Sequence, residues 1–174
     1  RMQAIINSIT SFALKIAETP AFIKRTLKGQ KVVNRFQSLE GFNGNTNNQN
    51  IYLLLSAHDK DEKKSNVKLI DLKTFKTVHK WSVEYNKLND LINAKDEFKD
   101  LPNNMSQNRS RMLHPKLVED GKLAFIENGA PFRLIDVCSK LILQNTEDLF
   151  HHSIELDQDG NFWVPSWKHP KTLP

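Results

Sequence analysis

Cysteine is nearly missing from this sequence: Cys138 is the single one among 174 residues. One thiol excludes an internal disulfide framework and any multi-cysteine metal site. It sits in IDVCSK, at a strand-to-turn position where a small half-buried residue is a simpler reading than a nucleophile. Long apolar runs are missing too. Nothing reaches the ~18 consecutive apolar residues that mark a membrane-spanning helix, and no secretory leader is evident. There is no GxSxG elbow for a serine hydrolase and no HExxH helix for a zinc enzyme. Basic residues outnumber acidic ones, 25 to 20, for a net charge of +5. They are scattered, however, with KRTLK, DKDEKK and WKHPK far apart and mixed with acids. Without a basic stripe carrying interleaved aromatics, no nucleic-acid partner is expected. The excess charge fits a small anionic ligand or surface better.

What is present falls into two parts, 1–29 and 30–174. In QAIINSITSFALKIAETPAFIKRTLKG, Ile5, Ile9, Phe12 and Ile16 recur at helical spacing and form one apolar face. Pro20 is expected to end this helix and start a short second one with Thr19 as its N-cap, and Gly29 to stop it. After Gly29 the period changes to two. KVVNRF, NIYLLLSA, NVKLIDL and TVHKWSV read as strands, the first two separated by the polar loop GFNGNTNNQN. A helical insert follows over Tyr85–Phe98, with Leu88, Leu91 and Ile92 as its apolar face. Strands then resume with RMLHPKLVED, KLAFIEN, PFRLIDV and LILQN, turning at Asp120-Gly121, Asn128-Gly129 and Cys138-Ser139-Lys140. HHSIELDQ and NFWVPS close the series around Asp159-Gly160.

These strands repeat. LVEDGKLAF (Leu117–Phe125) matches LDQDGNFWV (Leu156–Val164) at an offset of 39 residues. VKLIDLKTFKTVHKW (Val67–Trp81) matches FRLIDVCSKLILQN (Phe132–Asn145) at an offset of 65, which falls to about 40 without the helical insert and its loop. A period near 40 with four short strands per unit is the signature of β-propeller blades. About three blades fit in 30–174, so the expected fold is an all-β partial propeller with an N-terminal helical segment and one helical insert. Closed propellers need about four to eight blades. The chain starts at Arg1 and stops in HPKTLP, and reads as a piece of a longer or processed protein, truncated at its C-terminus.

In a blade, the strand before the DG turn is expected to line the central channel. His114 lies at the start of one such strand, and His151 and His152 at the start of the next. Corresponding residues of successive blades converge on the axis, so these imidazoles can meet. On the gapless offset His114 falls opposite Ser153, a one-residue step that a β-bulge can absorb. Neighbouring strand residues point to opposite faces, so only one of His151 and His152 is expected at a given site. A strand-opening histidine can equally be a rim residue that caps or packs. His58, His79 and His169 read as turn, outer-strand and terminal-loop residues.

The run from RMLHPKLVEDGKLAF through PFRLIDVCSKLILQNTEDLFHHSIELDQDGNFWVPS resembles the bacterial arylsulfotransferases that do not use a phosphoadenosine donor. The preceding KLIDLKTFKTVHKW blade and its insert resemble the same group, so the likeness covers most of Lys31–Ser166. The resemblance implies a six-bladed propeller and sulfuryl transfer from an aryl sulfate to a phenol through a sulfurylated histidine, with no diffusible cofactor. His152, with His151 and His114, would then be catalytic partners contacting sulfate or moving protons. The resemblance places the nucleophile and a sulfate-binding arginine past Pro174, although Arg109, Arg111 and Arg133 are present locally. It also implies an exported, periplasmic or membrane-attached location, and an isolated 174-residue piece without turnover.

The rival from another class is a non-catalytic propeller used as a binding or scaffolding surface, since fold alone does not decide function. A metal site built from His114 with His151 or His152 needs a third ligand, for which Glu147, Asp148 and Glu155 are near in sequence. Metal-ligand spacing is absent, and no metal is expected. Trp163 and Trp167 could wall an aryl ring; packing is favoured for Trp163, Trp167 stays open, and Trp81 reads as core.

Overall fold

A computed structural model describes residues 12, 13, 16, 17, 19, 20, 23, 24, 42, 44–46, 48–92, 98, 101, 106, 107 and 109–167. The chain divides into two compact units, Arg1–Leu39 and Glu40–Pro174. In the first unit every described residue is helical, including Thr19 and Pro20, so Thr19 lies within helix rather than capping it. The strand expected at KVVNRF lies outside the described residues, as does His169. Among the described residues no helix is long and apolar enough to cross a membrane.

The second unit is mostly β. Strands β1 (Tyr52–Asp59), β2 (Lys64–Asp71) and β3 (Lys76–Ser82) form an antiparallel meander, followed by helix α1 (Tyr85–Asp90). Strands β4 (Leu113–Leu117), β5 (Leu123–Ile126), β6 (Ala130–Ile135) and β7 (Leu141–Phe150) form the next meander. A short β10 (Ser166–Trp167) adds to β7 and makes this sheet five-stranded, curled into a half-barrel. Strands β8 (Glu155–Leu156) and β9 (Phe162–Trp163) pair with each other.

The turns explain why these strands fold back where they do. Asp136 and Asp157 make the same one. Each donates its own N–H across the hairpin, to Lys140 O at 2.8 Å and Asn161 O at 3.0 Å. Each carboxylate Oδ1 accepts the N–H four residues on, at 2.8 Å in both cases. Each carbonyl accepts the N–H three residues on, from Ser139 and Gly160, and both of these have positive φ. An Asp side chain that mimics a backbone turn is a local, sequence-encoded device, and it closes two of these hairpins.

Alternation along the strands then sorts side chains into two apolar layers. Leu123 and Phe125 of β5, with Ile135 of β6, pack against Val67 of β2 and Trp81 of β3. Val83, Tyr85, Leu88 and Met112 complete that layer. The intervening Ala124 and Ile126, with Phe132, face the other way, onto Phe150, Ile154 and Phe162. Strands β5 and β6 are thus buried on both faces, by the sheet before them and the hairpin after them. Polar ties reinforce the first layer: Trp81 Nε1 donates to Gly121 O at 3.0 Å, and Ser82 N–H to Ser139 Oγ at 3.0 Å. Trp81 is core, as expected, with 1% of its surface exposed; Trp163, expected to pack, is 67% exposed. Its Nε1 donates to Asp157 Oδ2 at 2.9 Å, so it stands against its own turn instead of a neighbouring sheet.

Candidate functional site

The histidine pair does not open a strand. His151 and His152 lie between β7 and β8, and β8 begins only at Glu155. Strand register gives the reason. Leu149 pairs with Trp167 and Phe150 with Ser166, whereas Glu155 pairs with Trp163 and Leu156 with Phe162. Four residues, His151 to Ile154, therefore face only Val164 and Pro165 across one long hairpin. The two extra residues are accommodated by a kink, and His152 takes it with φ of 69°. Such bulges re-aim side chains and locally end pairing.

His114 occupies a smaller version of the same feature. Leu113 pairs with Ile126 and Lys116 with Ala124, so β4 carries one extra residue there, and His114 has φ of 44°. A bulge of the kind expected from the one-residue step is present at His114. His114 and His152 are both left-handed at a bulge and both exposed.

His151 is different. It is 8% exposed, with its ring centroid 4.5 Å from that of Trp167 at an interplanar angle of 33°. The His152 ring meets it edge-on, also at 4.5 Å. The His151 N–H donates to Pro165 O at 3.1 Å, which pins the backbone of the kink. Its Nδ1 is buried without a hydrogen-bond partner. Burial, and then the neighbouring His152 charge, hold the imidazole below its ordinary pKa against an opposing backbone bond at Ser166. A neutral imidazole can act as a base or an acceptor at neutral pH.

The structure thus brings His151, His152 and Trp167 together. Among the described residues no ring contact or hydrogen bond joins His114 to that pair. His58 lies within β1 instead of in a turn, half-buried, with a buried Nε2 that has no hydrogen-bond partner. Its pKa is lowered by burial and by the Arg111 charge. His79 Nε2 contacts Val137 O at 2.9 Å and its ring meets Trp81 edge-on, a structural role. Cys138 is exposed. No cluster of three or more metal-binding side chains occurs among the described residues.

Sequence reasoning missed one feature, a buried ion pair between Arg133 and Glu127. The signal available was a lone arginine inside the apolar run PFRLI, six residues after the lone glutamate that ends LAFIE. Buried charges are rare unless paired. Compared with known proteins, the chain matches no family model and no curated protein.

Proposed function

We propose that this chain is a run of β-propeller blades from an aryl-sulfate sulfotransferase, with His151 and His152 as acid–base partners in its site. The propeller reading is supported by sheets that stack in chain order, each joined to the next by an apolar layer. It is also supported by an ion pair at 3.3 Å between Lys116 of β4 and Glu155 of β8, residues 39 apart and equivalent in the repeat. Equivalent positions of successive sheets therefore meet, as they do around a propeller axis.

The observation that carries the functional reading is the His151–Trp167 stack with His152 on its edge. The indole is 37% exposed, and an aromatic side chain of this kind suits an aryl ring. The imidazole beside it is kept neutral. In the reaction, an imidazole nitrogen of the site attacks sulfur while the S–O bond of the aryl sulfate breaks, its electron pair leaving on the phenolate oxygen. The acceptor phenol oxygen then attacks sulfur and the N–S bond breaks, returning its pair to nitrogen. A partner imidazole takes the acceptor's proton and supplies one to the departing phenolate.

The test is transfer from 4-nitrophenyl sulfate to a phenol by the full-length gene product, read as nitrophenolate release. Replacing His151 or His152 by Ala is expected to slow turnover by about 10²–10⁴-fold, the usual contribution of a positioned acid or base. A native protein that turns over no aryl sulfate sinks this reading. The second reading, a non-catalytic binding propeller, then leads; the exposed His114, separate from the pair, favours it.

A further inference from the structure

The wall that holds His151 reaches through the sheet to the buried ion pair. Arg133 on β6 is 0% exposed and spends its donors on three different elements. Nη1 donates to Glu127 Oε1 at 2.7 Å, Nη2 to Asn89 Oδ1 of α1 at 2.8 Å, and Nε to Gln144 Oε1 of β7 at 2.8 Å. Glu127 is the first residue of the β5–β6 turn, closed by Ala130 N–H donating to Glu127 O at 3.2 Å. The same turn ends at the histidine pair. Gly129 N–H donates to Phe150 O at 2.9 Å, one residue before His151. A side chain at Gly129 would come to 4.0 Å from Trp167 Cζ3. A four-residue turn thus has its first side chain in the ion pair and its third residue hydrogen-bonded to the residue before His151.

A buried ion pair is not retained for stability by default, because packed apolar residues often serve as well or better. What apolar residues cannot do is fix direction through three donors aimed at three elements. We infer that Arg133 and Glu127 are positioning residues for His151: they fix the Glu127–Ala130 turn and, through the Gly129 N–H bond to Phe150 O, hold the strand end that leads into His151 and pairs with the Ser166–Trp167 strand. Asn89 brings the helical insert into the same anchor, so the segment that interrupts the repeat is fastened to the site wall. That His151 works in catalysis rests on the sulfotransferase reading; its positioning does not.

Among the described residues, the polar and aromatic groups that meet the imidazole include the His152 ring, the Trp167 indole and, across the hairpin, Ser166, whose hydroxyl donates to Asp148 Oδ2 at 3.1 Å. The experiment is a histidine NMR titration of the full chain, native and with Glu127→Gln, and with the packed apolar pair Arg133→Met/Glu127→Leu. Loosening the indole admits water, so the His151 midpoint should rise toward its ordinary value, while His58 stays depressed and reports an intact fold. Arg133→Lys, which keeps the charge and loses the fork, should give a smaller rise. An unmoved His151 in a variant whose His58 is still depressed overturns the inference. So does unfolding of both the Gln variant and the apolar pair, seen as His58 and His151 titrating together at the ordinary value, since the pair would then serve the fold as a whole. The readout needs no turnover, so it stands or falls apart from the sulfotransferase reading.

Discussion

Replacing Trp81 by Phe tests whether the first two sheets form one cooperative body. Trp81 is 1% exposed, inside the apolar layer between the sheets, and its Nε1 donates to Gly121 O at 3.0 Å in the next sheet. The change removes about 40 Å² of buried apolar surface, worth about 1 kcal/mol at ~25 cal/mol per Å². It also removes the hydrogen bond and strands a partly buried carbonyl, which adds about 1–3 kcal/mol. The expected loss is therefore about 2–4 kcal/mol, read as a lower urea midpoint with an unchanged slope. Trp163→Phe is the control: it deletes a hydrogen bond of similar length, to Asp157, at a residue 67% exposed, and should leave the midpoint nearly in place. A Trp81→Phe loss below about 1 kcal/mol, or two separate transitions, would refute the claim that this layer couples the sheets.

The DG turns make a second comparison. Gly121 has φ of 70°, and a Cβ there would lie 3.1 Å from Val137 Cγ2, whereas Gly160 has φ of 83° with open space. Gly160→Ala should cost about 1 kcal/mol for the left-handed backbone alone, and Gly121→Ala measurably more by thermal unfolding. Acid sensitivity is a third. The His58 pKa lies below 6.5 in the folded chain, so the unfolded chain binds that proton more readily. Stability from this group is full above about pH 6.5 and falls as pH drops through the folded value; His58→Gln should flatten that limb of a pH–midpoint curve. Glu127 has the opposite sign: burial pushes its carboxyl up to about 7 from 4.5 despite Arg133, so stability falls as pH rises through that window. In Glu127→Gln this fall should vanish, and a curve unchanged by the substitution would contradict the assignment.

Much of the strand order was legible because its cues are local. NVKLIDLKTFK and PFRLIDVCSK carry the Asp that closes each turn, and the observed strands β2 and β6 begin within two residues of the alternating runs. The kink at HHSI was not legible. An extra residue in a strand leaves the composition unchanged, and only the partner's register, Phe150 to Ser166 against Glu155 to Trp163, reveals it. Trp163 misled for a related reason: Asp157, on its own turn, competes for the indole, and that choice is decided in three dimensions. The ion pair escaped because Glu127 and Arg133 flank an Asn-Gly turn, where charges ordinarily read as solvated. The His151 environment depends on Gly129 and Trp167, 22 and 16 residues away, and no spacing rule links them.

The parity of the two bulges has a consequence for how this surface can change. One extra residue, as at His114, exchanges the faces of a strand on either side of it. Two extra residues restore them: Phe150 before the kink and Ile154 after it lie in the same apolar layer. The hairpin can therefore gain or lose a dipeptide at 151–154 as a cassette, with both flanking halves still buried as before. Loss of a single residue there would turn Leu156 away from the face it shares with Phe162. The histidine pair thus sits at a place where chemistry can be exchanged in units of two without rewriting the core beneath it.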